Sequence, residues 1–198
     1  MRWHGRVVRT AIWKEPVAGA VAVRGVNLAG DDQADRRVHG GVHKAVYAYA
    51  VEDYRWWSDL GVDAGPAAFG ENLTVEGVDL GAAWVGERWK VGSSVLEVSE
   101  PRLPCFKLGI RMGSADFVDL FEEVGRFGTY FRIVEEGSVS AGDIIDVVSR
   151  PEERLTVAEL AESRRTDDPA LLERVARHPA VSPKWAGRAR RSLGRLAR

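Results

Sequence analysis

The chain has 198 residues, enough to bury a substantial core, and carries 28 Lys and Arg against 29 Asp and Glu. A net charge of −1 excludes the strong basic field of a dedicated nucleic-acid binder or a polybasic membrane-docking surface. The charge is unevenly spread: residues 1–150 hold 17 basic and 22 acidic groups and residues 151–198 hold 11 and 7, which places an expected domain boundary at Pro151.

In chain order, Arg6–Trp13 and Ala20–Leu28 are Val-containing segments bounded by Gly, Pro or Asp and are predicted as strands. Ala45–Ala50 is a compact apolar run suited to a buried strand, and Val51–Leu60 follows with Val51, Tyr54, Trp57 and Leu60 at helical spacing. Strands are predicted over Asn72–Glu76, Trp84–Val91 and Ser94–Ser99. A second helix over Ala115–Val124 carries Ser114 as N-cap and Gly125 as its stop. Thr129–Glu135 and Asp143–Val148 complete the strands. So many short strands separated by turn chemistry argue for a barrel or sandwich. Beyond Pro151 the pattern turns helical. Thr156-Val157-Ala158-Glu159 is a capping box, and Asp168-Pro169 and Ser182-Pro183 each read as N-cap plus first-turn proline, predicting three short helices.

One cysteine, Cys105, permits no intrachain disulfide. Arg2, His4, Arg6 and Arg9 interrupt any leader-like apolar run, and no apolar stretch approaches a membrane span. A cytoplasmic protein, with neither nucleic acid nor membrane as partner, is the expectation. The basic last helix (Lys184, Arg188, Arg190, Arg191, Arg195, Arg198) reads as a solvated amphipathic face, because aromatic interleaving is nearly absent.

Three segments carry chemistry. In Pro101-Arg102-Leu103-Pro104-Cys105-Phe106-Lys107 two prolines stiffen the approach to the thiol, and two cations favour its thiolate. A thiolate attacks carbon or sulfur centres and ligates soft metals. A lone cysteine is more often a small buried hydrophobe, but this rigid, basic loop favours the reactive reading. The long polar segment Gly30–Lys44 offers Gly40-Gly41 for close backbone approach to an anion, with Arg36, Arg37 and Lys44 to pair with a phosphate. A solvated loop satisfying its own charges accounts for it equally well. His39 and His43 are four apart, a spacing that would suit zinc on a helix, but the glycines oppose a helix there. In Phe69-Gly70-Glu71-Asn72-Leu73 an acid and an amide at a strand start can orient a small polar substrate, with Glu71 as a proton donor. From the residues alone, a turn capping its own backbone is the stronger reading. There is no GxGxxG, Walker loop or CxxC.

Taken together, Gly30-Asp31-x-Gln33-x-Asp35 running to His39-Gly40-Gly41 and Lys44-Ala45-Val46, then Phe69–Leu73, then Pro101–Lys107, resemble the MOSC domain family (named for the C-terminal domain of molybdenum-cofactor sulfurases), and within it the bacterial YiiM-type members. The helical tail resembles the three-helix domain of that group. The resemblance implies a mainly β, α+β chain: a closed β-barrel with inserted helices over 1–150 and a small three-helix appendage over 151–198. It implies a molybdenum cofactor (Mo-molybdopterin) with Cys105 as a ligand to the metal, and reduction of N-hydroxylated small molecules such as hydroxylamino-purines. With no flavin or nicotinamide motif in the chain, electrons are expected from a separate reductase. The expected cofactor contacts are Arg36, His39, Gly40, Gly41, Lys44, Arg102 and Lys107. Phe69 and Asn72 are expected at the substrate, and Cys105 and Glu71 in catalysis. A non-catalytic cofactor carrier, or a sulfur carrier with a persulfide on Cys105, shares every motif.

Overall fold

In a computed structural model of the chain, residues 2–3, 6–33 and 40–198 are described; Arg36 and His39 lie outside them. Two short strands, β1 (Arg2–Trp3) and β2 (Arg6–Val7), pair antiparallel. The strand expected over Arg6–Trp13 ends at Val7, and residues 8–18 form no regular element. The strand expected over Ala20–Leu28 is instead a hairpin of β3 (Val21–Arg24) and β4 (Asn27–Leu28). Its tight turn begins at Gly25, whose φ of 59° is open to glycine at little cost.

β5 (Val46–Ala50) is buried on both faces, and its side chains divide two cores by simple alternation. Val46, Ala48 and Ala50 enter an aliphatic cluster, while Tyr47 and Tyr49 enter an aromatic one with Tyr54, Trp57, Phe69 and Phe121. α1 (Val51–Asp59) supplies Tyr54 and Trp57 to the aromatic side and carries the chain over to β6 (Leu73–Val75), which lies parallel to β5. β7 (Arg88–Val91) and β8 (Ser94–Pro101) follow as a hairpin. The run expected as strand from Trp84 is shorter than anticipated, because Trp84 makes only an isolated bridge to Thr156.

Two helices come next. α2 (Phe106–Arg111), not anticipated from the sequence, is short and carries a glycine, so its periodicity is weak. Gly109 is required there, since a Cβ would sit 2.9 Å from the Ser114 carbonyl oxygen. α3 (Phe117–Val124) starts later than expected, behind Asp116, and Gly125 ends it at φ 75°. β9 (Thr129–Glu135), β10 (Gly137–Val139) and β11 (Ile145–Ser149) complete the strands.

One sheet has the order β11-β7-β8-β9-β5-β6 and another β10-β3-β4. The fold is α+β. The strand pairing does not close into the expected barrel: among the described residues, β11 and β6 remain the two edges of an open, six-stranded sheet.

The tail forms α4 (Val157–Glu162), α5 (Pro169–Arg177) and α6 (Pro183–Leu196). The capping box at Thr156 and Glu159 is complete, and Asp168 caps α5 through the Ala170 N–H. Ser182 makes no cap bond; its hydroxyl is turned to Glu100 instead. Leu155, Leu160, Leu172, Val175 and Trp185 share one aliphatic cluster with Val85, Leu96 and Val98 of the sheet region. No helix among the described residues is long and apolar enough to cross a membrane.

Candidate functional site

A cleft of about 110 Å³ opens where β8 ends, beside the start of β5 and the approach to β6. Cys105, Arg102 and Lys107 enter it from the segment after β8, Lys44 from the turn before β5, and Phe69 and Asn72 from the approach to β6. Six of the residues singled out in the sequence are thus brought to one place. Glu71, Gly40 and Gly41 do not line it.

The cysteine is half-buried, stands in extended backbone and acts as the N-cap residue of α2. Strand pairing holds the chain up to Pro101 opposite Thr129, so the Arg102–Cys105 segment leaves the sheet from a fixed edge. Arg102 is buried, with its guanidinium 5.7 Å from the Tyr47 ring centre and 5.6 Å from that of Phe121. It hydrogen-bonds Tyr130, yet its Nη1 is buried without a partner among the described residues. Burial pushes the Tyr130 hydroxyl up to about 12 despite the pull of Arg102, so this phenol stays protonated at neutral pH. Lys44 lies 3.5 Å from the Glu100 carboxylate and over the Tyr130 ring at 5.8 Å. Burial lowers the affinity of its ammonium for the proton, Glu100 opposes that, and Lys184 adds to it.

Residues not singled out for the site complete the frame. Asn72 receives the Tyr47 N–H on its Oδ1 at 2.9 Å and donates its Nδ2 to Asp31 at 2.7 Å. Asp31 in turn pairs with Lys14, a fourth amine or guanidine lining the cleft beside Lys44, Arg102 and Lys107. Gln33 receives the Gly41 N–H at 2.8 Å and donates to the carbonyls of Val26 at 2.8 Å and Lys44 at 3.2 Å. The expectation that the Gly40-Gly41 backbone cups an anion therefore changes: the Gly41 N–H is spent on Gln33, and Gly41 at φ 93° serves the turn that delivers Lys44. Asn27 also lines the cleft, and its Oδ1 is buried without a partner among the described residues.

Glu71 is buried behind the cleft. Its Oε1 accepts from the Tyr54 hydroxyl and the Ala67 N–H, each at 2.6 Å, and from Thr74 at 3.1 Å. This carboxylate ties α1 and the start of β6 to the Ala67–Gly70 turn, whose Phe69 and Gly70 do reach the cleft. His43 points to Ser99 at 3.2 Å, and no group of three or more metal-binding side chains of the zinc type occurs among the described residues.

Among the described residues, the donor set thus combines a thiol, a buried guanidinium whose Nη1 lacks a partner, three amines and an orphaned carbonyl acceptor. It suits a group bearing phosphate, a ring with N–H donors and a soft centre. Comparison agrees with that class: residues 35–146 match the MOSC domain, and the chain belongs to the MOSC domain family. It is 36% identical to YflK of Bacillus subtilis over 188 residues, spanning 93% of this chain and 85% of that protein. YiiM from Geobacillus stearothermophilus has a similar fold at a TM-score of 0.79 and 30% identity, covering 98% of this chain and 93% of that one. A protein named "Reductase" from Gibberella moniliformis is 34% identical over 74% of this chain, which corresponds to 27% of that longer protein. The likeness to YiiM-type members read from the three motifs therefore holds over nearly the whole chain.

Proposed function

We propose that this chain is a molybdenum-cofactor-binding oxidoreductase that reduces N-hydroxylated small molecules, with electrons supplied by a separate reductase. The observation that carries the reading is Arg102. A buried guanidinium whose Nη1 has no partner among the described residues is costly unless an anion completes it, and it lies in the same cleft as the one thiol. Membership of the MOSC domain family and the similarity to a named reductase support the choice of cofactor and reaction class.

Cys105 serves as the protein ligand to the metal. Arg102, Lys107, Lys14 and Lys44 hold the phosphate and balance its charge, while Asn27 accepts from a ring N–H. Arg36 and His39 are assigned to the cofactor by family resemblance. When bound, the molybdenum cofactor supplies the two-electron chemistry that removes oxygen from nitrogen. The chain orients the substrate with the amide-anchored turn at Asn72 and the edge of Phe69. The protonated Tyr130 hydroxyl, held by Arg102, is available as a hydrogen-bond donor to an oxygen in the cleft. Glu71 is a positioning residue for this turn rather than a catalytic residue.

Protein purified from a host with confirmed cofactor synthesis should contain molybdenum stoichiometric with the chain. Cys105→Ser should lose turnover of a hydroxylamine or amidoxime with an artificial electron donor. Metal-free protein from that host overturns the proposal. Metal without turnover would assign the chain to cofactor carriage, and added sulfur on Cys105 without molybdenum would assign it to sulfur carriage.

A further inference from the structure

A second, larger cavity of about 260 Å³ lies between the end of β8 and α6. It adjoins the cleft, since Lys44, Leu103 and Tyr130 line both. Among the described residues, five cations line it, Lys44, Arg164, Lys184, Arg188 and Arg191, against the one carboxylate of Glu100. Both oxygens of that carboxylate are already engaged, Oε1 by Lys44 at 3.5 Å and Oε2 by the Ser182 hydroxyl at 2.9 Å. Arg164 is paired with Glu122 at 2.6 Å, and Arg188 donates to the Arg164 carbonyl. Among the described residues, Lys184, Arg188 and Arg191 have no carboxylate at ion-pair distance. They are spaced i, i+4, i+7, so α6 turns one cationic stripe into the chamber, while Trp185 offers a nearly buried indole as an apolar wall. The basic face of the last helix is therefore a lined chamber and not merely a solvated surface. Lys184 also lies close enough to Lys44 to disfavour its protonation, a repulsion that an anion between the two would relieve.

We infer that this chamber binds the phosphate of a phosphomonoester substrate whose ring end reaches the adjoining cleft at Cys105. The substrate class is then a nucleotide-like phosphomonoester rather than the uncharged ring compound. The identity of the reacting end rests on the function proposed above; the phosphate site does not. The phosphate is held by charge-assisted hydrogen bonds from Lys184, Arg188 and Arg191, and the ring passes between Tyr130 and Leu103.

Isothermal titration with inorganic phosphate and with a purine nucleoside 5′-monophosphate, on protein as isolated and on protein loaded with the cofactor, tests this. The variants are K184Q/R188Q, whose altered residues are exposed and whose folding is checked by thermal melting, and R177Q, which removes an exposed cation of α5 that lines neither cavity. Both ligands should bind the wild type, the monophosphate more tightly, with the affinity of each falling about tenfold or more in K184Q/R188Q and unchanged in R177Q. Equal affinities in the wild type and K184Q/R188Q would overturn the chamber as the site. A monophosphate no tighter than phosphate would overturn the extended ligand. Loss of phosphate binding on cofactor loading would assign the chamber to the cofactor and overturn the substrate assignment. A chain that lacks molybdenum, or does not turn over, leaves these titrations unchanged, so failure of the functional reading is seen separately.

Discussion

The Ser182 hydroxyl donates to the buried Glu100 carboxylate at 2.9 Å, joining the first residue before α6 to the strand that leads to Cys105. Ser182→Ala leaves a buried carboxylate oxygen unsatisfied. It should cost about 1–3 kcal/mol in urea unfolding, more than an ordinary cap deletion, because the hydroxyl serves Glu100 and not a helix N–H. In the double variant with Glu100→Gln the two losses should be clearly non-additive, as expected of direct partners.

Arg102 predicts opposite outcomes for folding and for binding. Arg102→Met removes a buried charge that has no counter-ion among the described residues, and it also removes two ring contacts and a bond to Tyr130. These effects offset, so the melting free energy of cofactor-free protein should change by less than about 1 kcal/mol. Cofactor retention through gel filtration should nevertheless fall about tenfold or more.

Gly70 stands at φ 80°, and a Cβ there would come 2.7 Å from Ile12 Cγ1 and 3.0 Å from the Ile12 carbonyl oxygen. Gly70→Ala should destabilise by about 1–3 kcal/mol or more from strain at that φ together with the clash. Trimming Ile12 to Ala in the same chain should restore only part of this, since the backbone oxygen and the strained φ remain.

Glu71 separates support from chemistry. Glu71→Gln keeps a carbonyl oxygen for Tyr54, Ala67 and Thr74, so turnover should stay within about threefold of wild type with an unchanged pH profile. A loss of about a hundredfold, with a limb of the profile removed, would instead make Glu71 a proton donor.

At Glu159 burial works against ionisation. The Thr156 N–H, Arg174 and the Thr156 hydroxyl outweigh it and hold the carboxyl below its ordinary value. A depressed folded value means that its contribution to stability is complete above the unfolded carboxyl value and is lost as pH falls through the folded one. The stability gap between wild type and Glu159→Gln, measured by urea unfolding from pH 7 downward, should therefore be widest at neutral pH and shrink on acidification.

The sequence was most legible where short-range chemistry dominates. The capping box at Thr156, the proline-led starts of α5 and α6 and the glycine stop of α3 follow from local hydrogen bonding and allowed φ, and all are present. The convergence of Cys105, Arg102, Lys107, Lys44, Phe69 and Asn72 came from ordered motifs and not from spacing, since the pairings that unite them are long-range. Lys14 is not legible as a contributor, and Gln33 stands in the first motif without its role being legible, because each acts through a partner that local sequence does not reveal, Asp31 for one and the turn at Gly41 for the other. The closed barrel failed for a related reason: alternation identifies strands but does not say whether the outermost two meet.

The aliphatic cluster that runs through residue 150 without interruption has a thermodynamic corollary. Val85 donates its N–H to Leu155 and Val157 donates to Ala83, and Gly86 would collide with Ala180 if it bore a side chain. Helices so interleaved with a sheet are expected to share one unfolding transition. A chain cut at Pro151 would expose the apolar faces of Leu96 and Val98 to water. A helical tail expressed by itself would lack the surface against which Leu155 and Leu160 are ordered. Calorimetry of the whole chain should accordingly give a single endotherm whose van't Hoff and calorimetric enthalpies agree.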